Sequence, residues 1–482
     1  MKKTPTLGQS LLPILFMIFA LAIGYGYLGF RTEPILVASA FVAGIIALRL
    51  GYGWKDMEKA IVEKITQAMP ATLVLWSVGF LIGSWMFSGT VPMIIYYGVH
   101  IVNPKFLLVS AFIITAIIST VTGTSWGAAG TIGVAIMGIA GGLGISLPAT
   151  AGAIVAGAYF GDKLSPLSDT TNLAPMAAGS KLYEHIKHML YTTVPASIAA
   201  IIVYLIAGFN TSGEMVDPKT VAIMRAQLDL MYNWNPLLLL PVLIIVFGSL
   251  RKWPAIPLML STSFISIILG IILQGFTLKN GLLSLVSGFN VSMASPNTHI
   301  IGEVARLINR GGLASVTAPT VLVFCAMGFA GIISVTGMLD TVLNFILKKV
   351  HSATGIILST IASCLTMAFV TGSSYLAIII PGELFKETYV KRGLHPKNLS
   401  RTLEDSGTVI VPLIPWSAAG AYMAATLGVP TFQYLPWAVL NYGGVIVAII
   451  LAFTGIGVTK LSKKEQDKYK TEFKIQEGEK NV

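Results

Sequence analysis

Long apolar segments recur along the chain, separated by short polar stretches. A membrane-crossing helix needs roughly 20 predominantly apolar residues. Segments that approach or exceed this length lie at 10–29, 33–50, 69–89, 192–208, 235–248, 254–275, 316–337 and 432–453. Two polar stretches, 54–67 and 181–191, carry apolar residues at helical spacing, which predicts helices lying at the membrane surface. The pattern as a whole predicts an all-α polytopic membrane protein.

The second half of the chain repeats the first at a constant spacing. Pro70 recurs as Pro319 and Thr122 recurs as Thr371, and both offsets are 249 positions (319 − 70 and 371 − 122). The match continues without a gap through Thr124-Ser125-Trp126 against Ser373-Ser374-Tyr375. One offset held over this length predicts two homologous halves. On weaker similarity, the polar break at Asp162 is expected to pair with the one at Asp405.

The repeat divides the chain into two transmembrane halves, 1–209 and 235–456, joined by a polar connecting loop at 210–234 and followed by a charged cytoplasmic tail at 457–482. In each half a Thr-Gly element joins two apolar limbs, which predicts re-entrant helical hairpins at 106–144 and 355–385. The second return limb, 375–385, would be about 16 Å long as a helix, too short to cross. Polar interruptions predict discontinuous transmembrane helices at 148–177 and 400–427.

Basic residues predict the orientation of the chain. If each half makes five crossings and one hairpin that returns to its own side, the second half starts on the opposite face and the two repeats are inverted. With the N-terminus inside, 24 of the 32 Lys and Arg residues fall on the cytoplasmic side, as the positive-inside rule requires. We therefore expect a multi-pass protein of the cell (plasma) membrane with both termini in the cytoplasm.

Composition supports the same class of protein. The 482 residues are 54% hydrophobic and 11% charged, and the mean hydropathy of +0.78 is too high for an ordinary soluble domain. The topology accounts for the net charge of +11, so we expect membrane lipid as a partner and no nucleic acid. Cys325 and Cys364 lie in apolar segments without metal-ligand spacing and are predicted to be free thiols.

The stretch GDKLSPLSDTTNLAP at 161–175 places polar chemistry where an apolar span should continue. Ionisable residues inside a membrane face a protein interior or a wet cavity and are usually functional. Pro166 and Pro175 remove helix donors and free carbonyl oxygens. Oxygen ligands suit a hard cation, and further oxygens come from Asp162, Ser165, Ser168, Asp169, Thr171 and Asn172.

Asp162 and Asp169 are acids that can hold either a sodium ion or a proton and thereby couple the two by competition. The ion role is favoured for Asp169. For Asp162 it is balanced against capping of a half-helix or pairing with Lys163. The hairpin tips add hydroxyls that either ligate the ion or bond helices together: Thr122, Thr124, Ser125, Thr371, Ser373 and Ser374.

The second half carries its own acids near a polar break. Glu404 and Asp405 follow Arg401 by three and four positions, a spacing that predicts an ion pair on one helix. A structural clamp and a proton-carrying role both remain open for Asp405, and Glu404 is a further candidate for proton coupling. The six histidines fall in or near loops and are assigned no site.

The chain resembles the NhaC family of sodium/proton antiporters. The resemblance is carried by GDKLSPLSDTTNLAP, the two Thr-Gly tips, ELFKETY at 383–389 and EDSGTVIVPLIPWSAAG at 404–420. It implies inverted repeats with paired hairpins, frequent assembly as a homodimer, and a site at Asp162, Ser165, Asp169, Thr171 and Asn172, with Thr122, Thr124 and Ser125 at the first tip. Sodium is expected at Asp162, Asp169, Asn172 and Thr124. No cofactor is expected beyond the transported Na⁺ and H⁺.

The expected function is secondary active exchange of Na⁺, or Li⁺, for H⁺ by alternating access. The alternative is a sodium-coupled carboxylate exchanger of the malate/lactate type, which the same family includes. A dicarboxylate favours a mid-membrane Arg, and the candidate, Arg401, lies beside two acids; half-helix N-termini could also bind a carboxylate. An intramembrane protease is less favoured, because Ser125 lacks a His partner and Asp162 lacks a second Asp with a supporting motif.

Overall fold

The computed structural model describes residues 2–211, 218–251, 253–294, 302–348 and 352–472. Within these ranges the named elements are helices, beside one isolated antiparallel bridge between Leu394 and Lys460. Nine helices of this described part are long and apolar enough to cross a membrane, or up to twelve if each sharply bent pair is one span. The chain is an all-α, multi-pass membrane protein, so the predicted class is confirmed.

The first half begins with two helices near the N-terminus and ends with a long helix that leads to the connection. The helices are α1 (Leu7–Ala20), α2 (Thr32–Arg49), α3 (Trp54–Ser88), α4 (Thr90–Ile101), α5 (Leu107–Thr122), α6 (Ser125–Ala128), α7 (Val134–Gly142), α8 (Leu147–Leu164), α9 (Asp169–Ala178) and α10 (Leu182–Thr211). Two π-helical segments, Leu21–Tyr27 and Ala129–Gly133, extend α1 and join α6 to α7.

The connection and the second half follow the same plan with one insertion. The helices are α11 (Pro218–Met231), α12 (Leu240–Leu250), α13 (Ala255–Gln274), α14 (Leu278–Ser287), α15 (Gly302–Ile308), α16 (Leu313–Val335), α17 (Met338–Lys348), α18 (Ala353–Thr371), α19 (Ser374–Lys391), α20 (Pro396–Gly407), α21 (Ala418–Leu427), α22 (Thr431–Tyr434), α23 (Val439–Thr454) and α24 (Lys463–Glu472). The predicted loop 210–234 thus contains α11, while its residues 212–217 and the tail residues 473–482 lie outside the described ranges.

The two predicted surface helices are wrong as separate elements. Residues 54–67 are the first turns of α3, which continues through Pro70 to Ser88. Residues 181–191 likewise lead directly into α10. A change from polar to apolar residues marks where a helix leaves the membrane surface, but it does not end the helix. Prolines are tolerated inside membrane helices when neighbouring groups satisfy the freed carbonyls.

The return limb of the second hairpin is also longer than predicted. Helix α19 has 18 residues, which is about 27 Å at 1.5 Å per residue. Beyond Phe385 the helix continues through Glu387 and Lys391, which form an i,i+4 ion pair at 3.3 Å that adds a small stabilisation to its last turns. The argument that this limb is too short to cross therefore fails, because the charged turns extend the helix beyond its apolar part.

Helix bounds in the two halves follow the offset of 249 found in the sequence. Helix α9, Asp169–Ala178, corresponds to α21, Ala418–Leu427 (418 − 169 = 249). Ser168 and Ser417 cap these two helices through side chains that accept a backbone N–H. The same offset makes Val411 the residue equivalent to Asp162 in the second half. The predicted correspondence between the polar breaks at Asp162 and Asp405 is therefore wrong.

Equivalent helices of the two halves pack against each other in antiparallel directions. The N–H of Gly312, which directly precedes α16, donates to the carbonyl of Gly79 in α3 at 2.7 Å, and at the far end of α16 Gly331 lies against Ala60 and Ile61. Helices α10 and α23 are antiparallel too, with Ala196 beside Gly443 and Tyr204 donating to the carbonyl of Trp437 at 2.7 Å. In addition, α2 of the first half packs on α16 of the second half, and α13 of the second half packs on α3 of the first half. In each pair of equivalent helices, the beginning of one helix therefore lies beside the end of its equivalent in the other half.

Gly312 provides a test of this central packing. Its φ of +76° and ψ of 158° define a backbone conformation that is essentially restricted to glycine, and a Cβ there would meet the backbone of Gly288, so Gly312→Ala should cost about 1–3 kcal/mol for the backbone strain alone. We expect a lower thermal unfolding midpoint in detergent. Gly328→Ala, inside α16, is the control, since no atom of the described residues lies within 4 Å of the added methyl group. Equal midpoints for the two variants would contradict this account.

Candidate functional site

A cavity of about 770 Å³ lies where the two halves meet. Both hairpin tips line it, through residues 122–127 and 371–376, together with Asp162, Asp169 and Thr408. The first residues of four helices are on its wall: Ser125 of α6, Asp169 of α9, Ser374 of α19 and Ala418 of α21. Helix N-termini carry unpaired N–H groups and a partial positive charge. The cavity therefore combines two carboxylates with converging positive dipole ends.

Four of the predicted site residues build the break between α8 and α9 and are absent from the described wall of the cavity. The Ser165 hydroxyl donates to the carbonyl of Thr120 in α5 at 2.8 Å. Thr171 donates to the carbonyl of Asp162 at 3.0 Å, and Ser168 caps α9 by accepting the N–H of Thr171 at 3.4 Å. Asn172 donates to the carbonyls of Pro166 and Ser168 at 2.9 and 2.6 Å. These bonds hold the interrupted backbone that positions Asp162 and Asp169.

Asp162 is the buried acid of the cavity. Its residue is 6% exposed, and its Oδ2 accepts a hydrogen bond from the Ser125 hydroxyl at 2.9 Å. Its Oδ1 is buried and has no hydrogen-bond partner within the described residues. Buried polar atoms without a partner are rare in native structures and need an explanation. A hard cation or a proton would complete the coordination of this oxygen.

Asp169 lies in a more open position than Asp162. It is an exposed residue at the start of α9, where its Oδ1 accepts the N–H of Thr170 at 2.9 Å. Its Oδ2 accepts a hydrogen bond from the hydroxyl of Tyr375 on the second tip. The sequence favoured Asp169 as the ion-binding acid, whereas the burial and the free oxygen point to Asp162. Tyr375 was not predicted as a site residue. Its equivalent in the first half is Trp126, so the repeat does show an aromatic residue beside each tip.

The hydroxyls of the two tips make equivalent bonds. Thr122 and Thr371 donate to the carbonyls four residues earlier, at 2.8 and 2.7 Å. Thr124 and Ser373 cap the helices that follow, accepting backbone N–H groups at 3.2 and 3.4 Å. The tips differ at Ser125, which reaches Asp162, because the residue equivalent to Asp162 in the second half is Val411. Of the four residues predicted to hold sodium, Asp162, Asp169 and Thr124 line the cavity and Asn172 does not.

A buried ion pair joins the two halves behind the cavity. The ammonium group of Lys163 in α8 pairs with Asp405 in α20, and their side chains are 2% and 0% exposed. Thr192 in α10 donates to the same carboxylate oxygen at 3.0 Å. The predicted ion pair between Arg401 and Asp405 is therefore wrong, and Lys163 does not neutralise Asp162 through an ion pair. Arg401 instead donates to the carbonyl of Gly457 at 3.0 Å, because α20 turns Asp405 toward α8 and α10.

Three further buried groups of α10 and α20 are polar. Glu404 is fully buried and neither of its carboxylate oxygens has a hydrogen-bond partner in the described part of the chain. His185 and His188 are buried on α10, bonded to Ser400 at 2.9 Å and to Asn398 at 3.1 Å. The prediction that all histidines lie in or near loops is wrong for these two, because 181–191 continues into α10. His299 and His351 lie outside the described ranges.

Comparison with known proteins decides the family. The sequence model of the Na⁺/H⁺ antiporter family matches residues 157–456, which include the break, both acids of the cavity and the second tip. The chain belongs to this family. The predicted resemblance is confirmed, and the family is one of transporters rather than hydrolases.

Three relatives match nearly the whole chain. A protein of Haemophilus influenzae described as an uncharacterized Na⁺/H⁺ antiporter is 49% identical over 96% of this chain and 98% of its own length. The Na⁺/H⁺ antiporter NhaC of Alkalihalophilus pseudofirmus is 37% identical over 95% and 98%. The malate-2H⁺/Na⁺-lactate antiporter of Bacillus subtilis is 34% identical over 94% and 96%. The family thus includes relatives described for both of the functions expected from the sequence.

The buried ion pair predicts a large effect on stability. Lys163→Met leaves Asp405 as an uncompensated buried charge, so we expect a loss of about 3–5 kcal/mol, measured as a lower apparent unfolding temperature in detergent. The double variant Lys163→Met/Asp405→Asn should recover part of the loss, since the isolated charge is gone. Lys59→Met is the matched control, because Lys59 and Glu63 form an exposed pair at 4.0 Å that contributes little. Similar unfolding temperatures for Lys163→Met and Lys59→Met would contradict the stabilising role of the ion pair between Lys163 and Asp405.

Proposed function

We propose that the protein is a secondary active antiporter that moves Na⁺ out of the cell in exchange for H⁺. The observation that carries this proposal is the buried Asp162, which presents an unpartnered carboxylate oxygen at a cavity between two halves of a Na⁺/H⁺ antiporter family member. The Ser125 hydroxyl, bonded to the other carboxylate oxygen, is a second oxygen beside the ion. Li⁺ is also a hard cation and should be accepted at the same oxygens.

Exchange follows from the charge balance of the cavity. Na⁺ at Asp162 neutralises a carboxylate that lies in a poorly hydrated environment, and a proton taken up by the acids of the site does the same. Because a second positive charge nearby is unfavourable at low dielectric, sodium and proton exclude each other. Asp169, held by Tyr375 at the more open wall, is the acid that an entering cation meets first. Alternating exposure of this site to the two sides of the membrane then couples the two fluxes.

The antiparallel packing of equivalent helices supports inverted repeats, in which the halves 1–209 and 235–456 face opposite sides of the membrane. The cavity reaches Gln67 and Trp253, both exposed, and its wall includes Lys64. Lys64 and Arg251, which precedes Trp253 by two positions, are basic residues that the positive-inside rule assigns to the cytoplasm. In our proposal the cavity is therefore open to the cytoplasm, both termini are cytoplasmic, and the protein resides in the plasma membrane. Assembly as a homodimer stays a prediction.

Cysteine labelling tests this orientation. In a background with Cys325→Ala and Cys364→Ala, Ser374→Cys on the cavity wall should react with an impermeant maleimide in inside-out vesicles and not in intact cells, because the cavity opens to the cytoplasm. Lys279→Cys should show the opposite pattern, since this exposed residue of α14 belongs to the predicted outer side. Labelling of Ser374→Cys from outside alone would overturn the orientation.

A second candidate is exchange of an organic carboxylate together with sodium, as the name of the Bacillus subtilis relative describes for that protein. The cavity of about 770 Å³ is far larger than one ion, and helix N-termini can bind a carboxylate through backbone N–H groups. Against this, the described wall of the cavity contains two carboxylates and one basic residue, Lys64, with no Arg. The charge balance favours a cation as the substrate.

Transport by purified protein in liposomes separates the two candidates. We expect internal pH to change when NaCl or LiCl is added outside, without any organic acid, and not with KCl. Asp162→Asn should reduce sodium-driven proton flux to the rate of protein-free liposomes, because the free carboxylate oxygen is lost. Asp340→Asn, an exposed acid of α17, should leave the flux unchanged. A requirement for malate or lactate would select the carboxylate exchanger, and normal flux in Asp162→Asn would remove that acid from the mechanism.

A further inference from the structure

Glu404 is a buried acid that has no role in the proposed sodium site. It is fully buried in α20, and both carboxylate oxygens lack a hydrogen-bond partner among the described residues. The charged groups that face it are Asp162 and Lys163 from α8 and its neighbour Asp405. The lysine is already paired with Asp405, which also accepts from Thr192. No described ion pair therefore compensates a negative charge on Glu404.

The physical cost of burial indicates which form of Glu404 fits this environment. An ionised carboxylate buried without a hydrogen bond is far more costly than a neutral carboxyl group in the same place. The nearby charge of Asp162 adds repulsion when that acid is also ionised and empty. A proton on Glu404 removes both costs. Sodium at Asp162 supplies a positive charge in the same region, so it makes the proton on Glu404 less favourable.

Thr408 joins the helical turn of Glu404 to the wall of the cavity, because its backbone N–H donates to the carbonyl of Glu404. Thr408 follows Glu404 by four residues and is therefore on the same face one turn further. Its hydroxyl is buried and has no hydrogen-bond partner within the described ranges, and Thr408 lies on the cavity wall. A hydroxyl can accept one proton while it donates another. Thr408 is thus placed to connect the buried acid with water in the cavity.

We propose that Glu404 carries the exchanged proton at a position separate from the sodium position at Asp162, and that Thr408 transfers the proton between Glu404 and the cavity. The proposal rests on the antiport function proposed above and names where its proton resides. A hydronium ion in the cavity gives a proton to the Thr408 oxygen while the Thr408 hydroxyl proton moves to the Glu404 carboxylate. One O–H bond forms at each acceptor as one breaks at each donor, leaving water and a neutral Glu404.

Two flux measurements on the same liposomes test the separation of the sites. One follows exchange of internal Na⁺ for external ²²Na⁺, and the other follows proton movement driven by a sodium gradient. Glu404→Gln keeps the shape of the side chain and removes its exchangeable acid. We expect it to retain Na⁺/Na⁺ exchange and to lose sodium-driven proton movement by about a hundredfold, the scale of a lost proton-transfer group.

Variants at position 408 test the relay. Thr408→Val removes the hydroxyl at nearly constant volume and should slow proton movement by roughly tenfold or more, with Na⁺/Na⁺ exchange unchanged. Thr408→Ser should restore proton movement, because it keeps the hydroxyl. Thr426→Val is the matched control, since Thr426 is also buried with an unpartnered hydroxyl but belongs to α21. Proton movement in this control should equal that of the wild type.

The outcomes distinguish this inference from the function on which it rests. If wild-type protein shows no sodium-driven proton movement, the antiport function itself fails. If the wild type is active and Glu404→Gln is equally active, Glu404 is not the proton carrier. If folded Glu404→Gln loses both fluxes, the sodium and proton positions are not separate. If that variant does not fold, Thr408→Val decides: a proton flux equal to that of the wild type, or a slow flux that Thr408→Ser shares, overturns the relay.

Discussion

The ion pair between Lys163 and Asp405 is the interaction on which the arrangement of the site depends. It joins α8 of the first half to α20 of the second in a fully buried position, with Thr192 of α10 bonded to the same carboxylate. Burying two charges is costly unless each finds its partner, so neither helix can rotate or slide without breaking the pair. The residues on either side, Asp162 and Glu404, are thereby held in fixed positions near each other. The ion pair thus sets the distance between Asp162 and Glu404 without forming an ion pair with either of them.

The break between α8 and α9 shows how small polar residues make irregular backbone stable inside a membrane. Non-helical backbone is tolerated there only where its polar groups are satisfied within the protein or face a cavity. Thr171 and Asn172 donate to carbonyls at the end of α8 and in the break, and Ser168 accepts an N–H at the start of α9. Gly161 permits close contact with the backbone of α5 at Ala116. Hydroxyl and amide residues that look like ligands in the sequence are therefore also the structural support of the break.

The sequence predicts the repeated architecture well because a constant offset is a one-dimensional property. Thr122 and Thr371 mark the tips, and the stretch around Asp162 and Asp169 marks the cavity. Partners of charged groups are a different matter, since they depend on helix rotation. Arg401 is well spaced to pair with Asp405 along one helix, yet Asp405 pairs with Lys163 on α8 and Arg401 donates to the carbonyl of Gly457. The sequence also did not predict that α3 is one continuous helix, because a change from polar to apolar residues produces the same pattern whether or not the helix ends there.

The two halves share a scaffold but divide the chemistry unequally. The first tip reaches an acid because Ser125 bonds Asp162, whereas the equivalent tip faces Val411. Conversely, the position equivalent to Asp405 in the first half is Ala156 (405 − 249), an apolar residue of α8. Each half therefore contributes acids at positions that the other half leaves apolar, so the repeat relates helices without relating charges. A matched pair of acids, one in each half, would offer two equal ion positions in one cavity. The unequal arrangement instead leaves one free carboxylate oxygen at the wall and one unpaired acid behind it, which suits an exchange of two different cations.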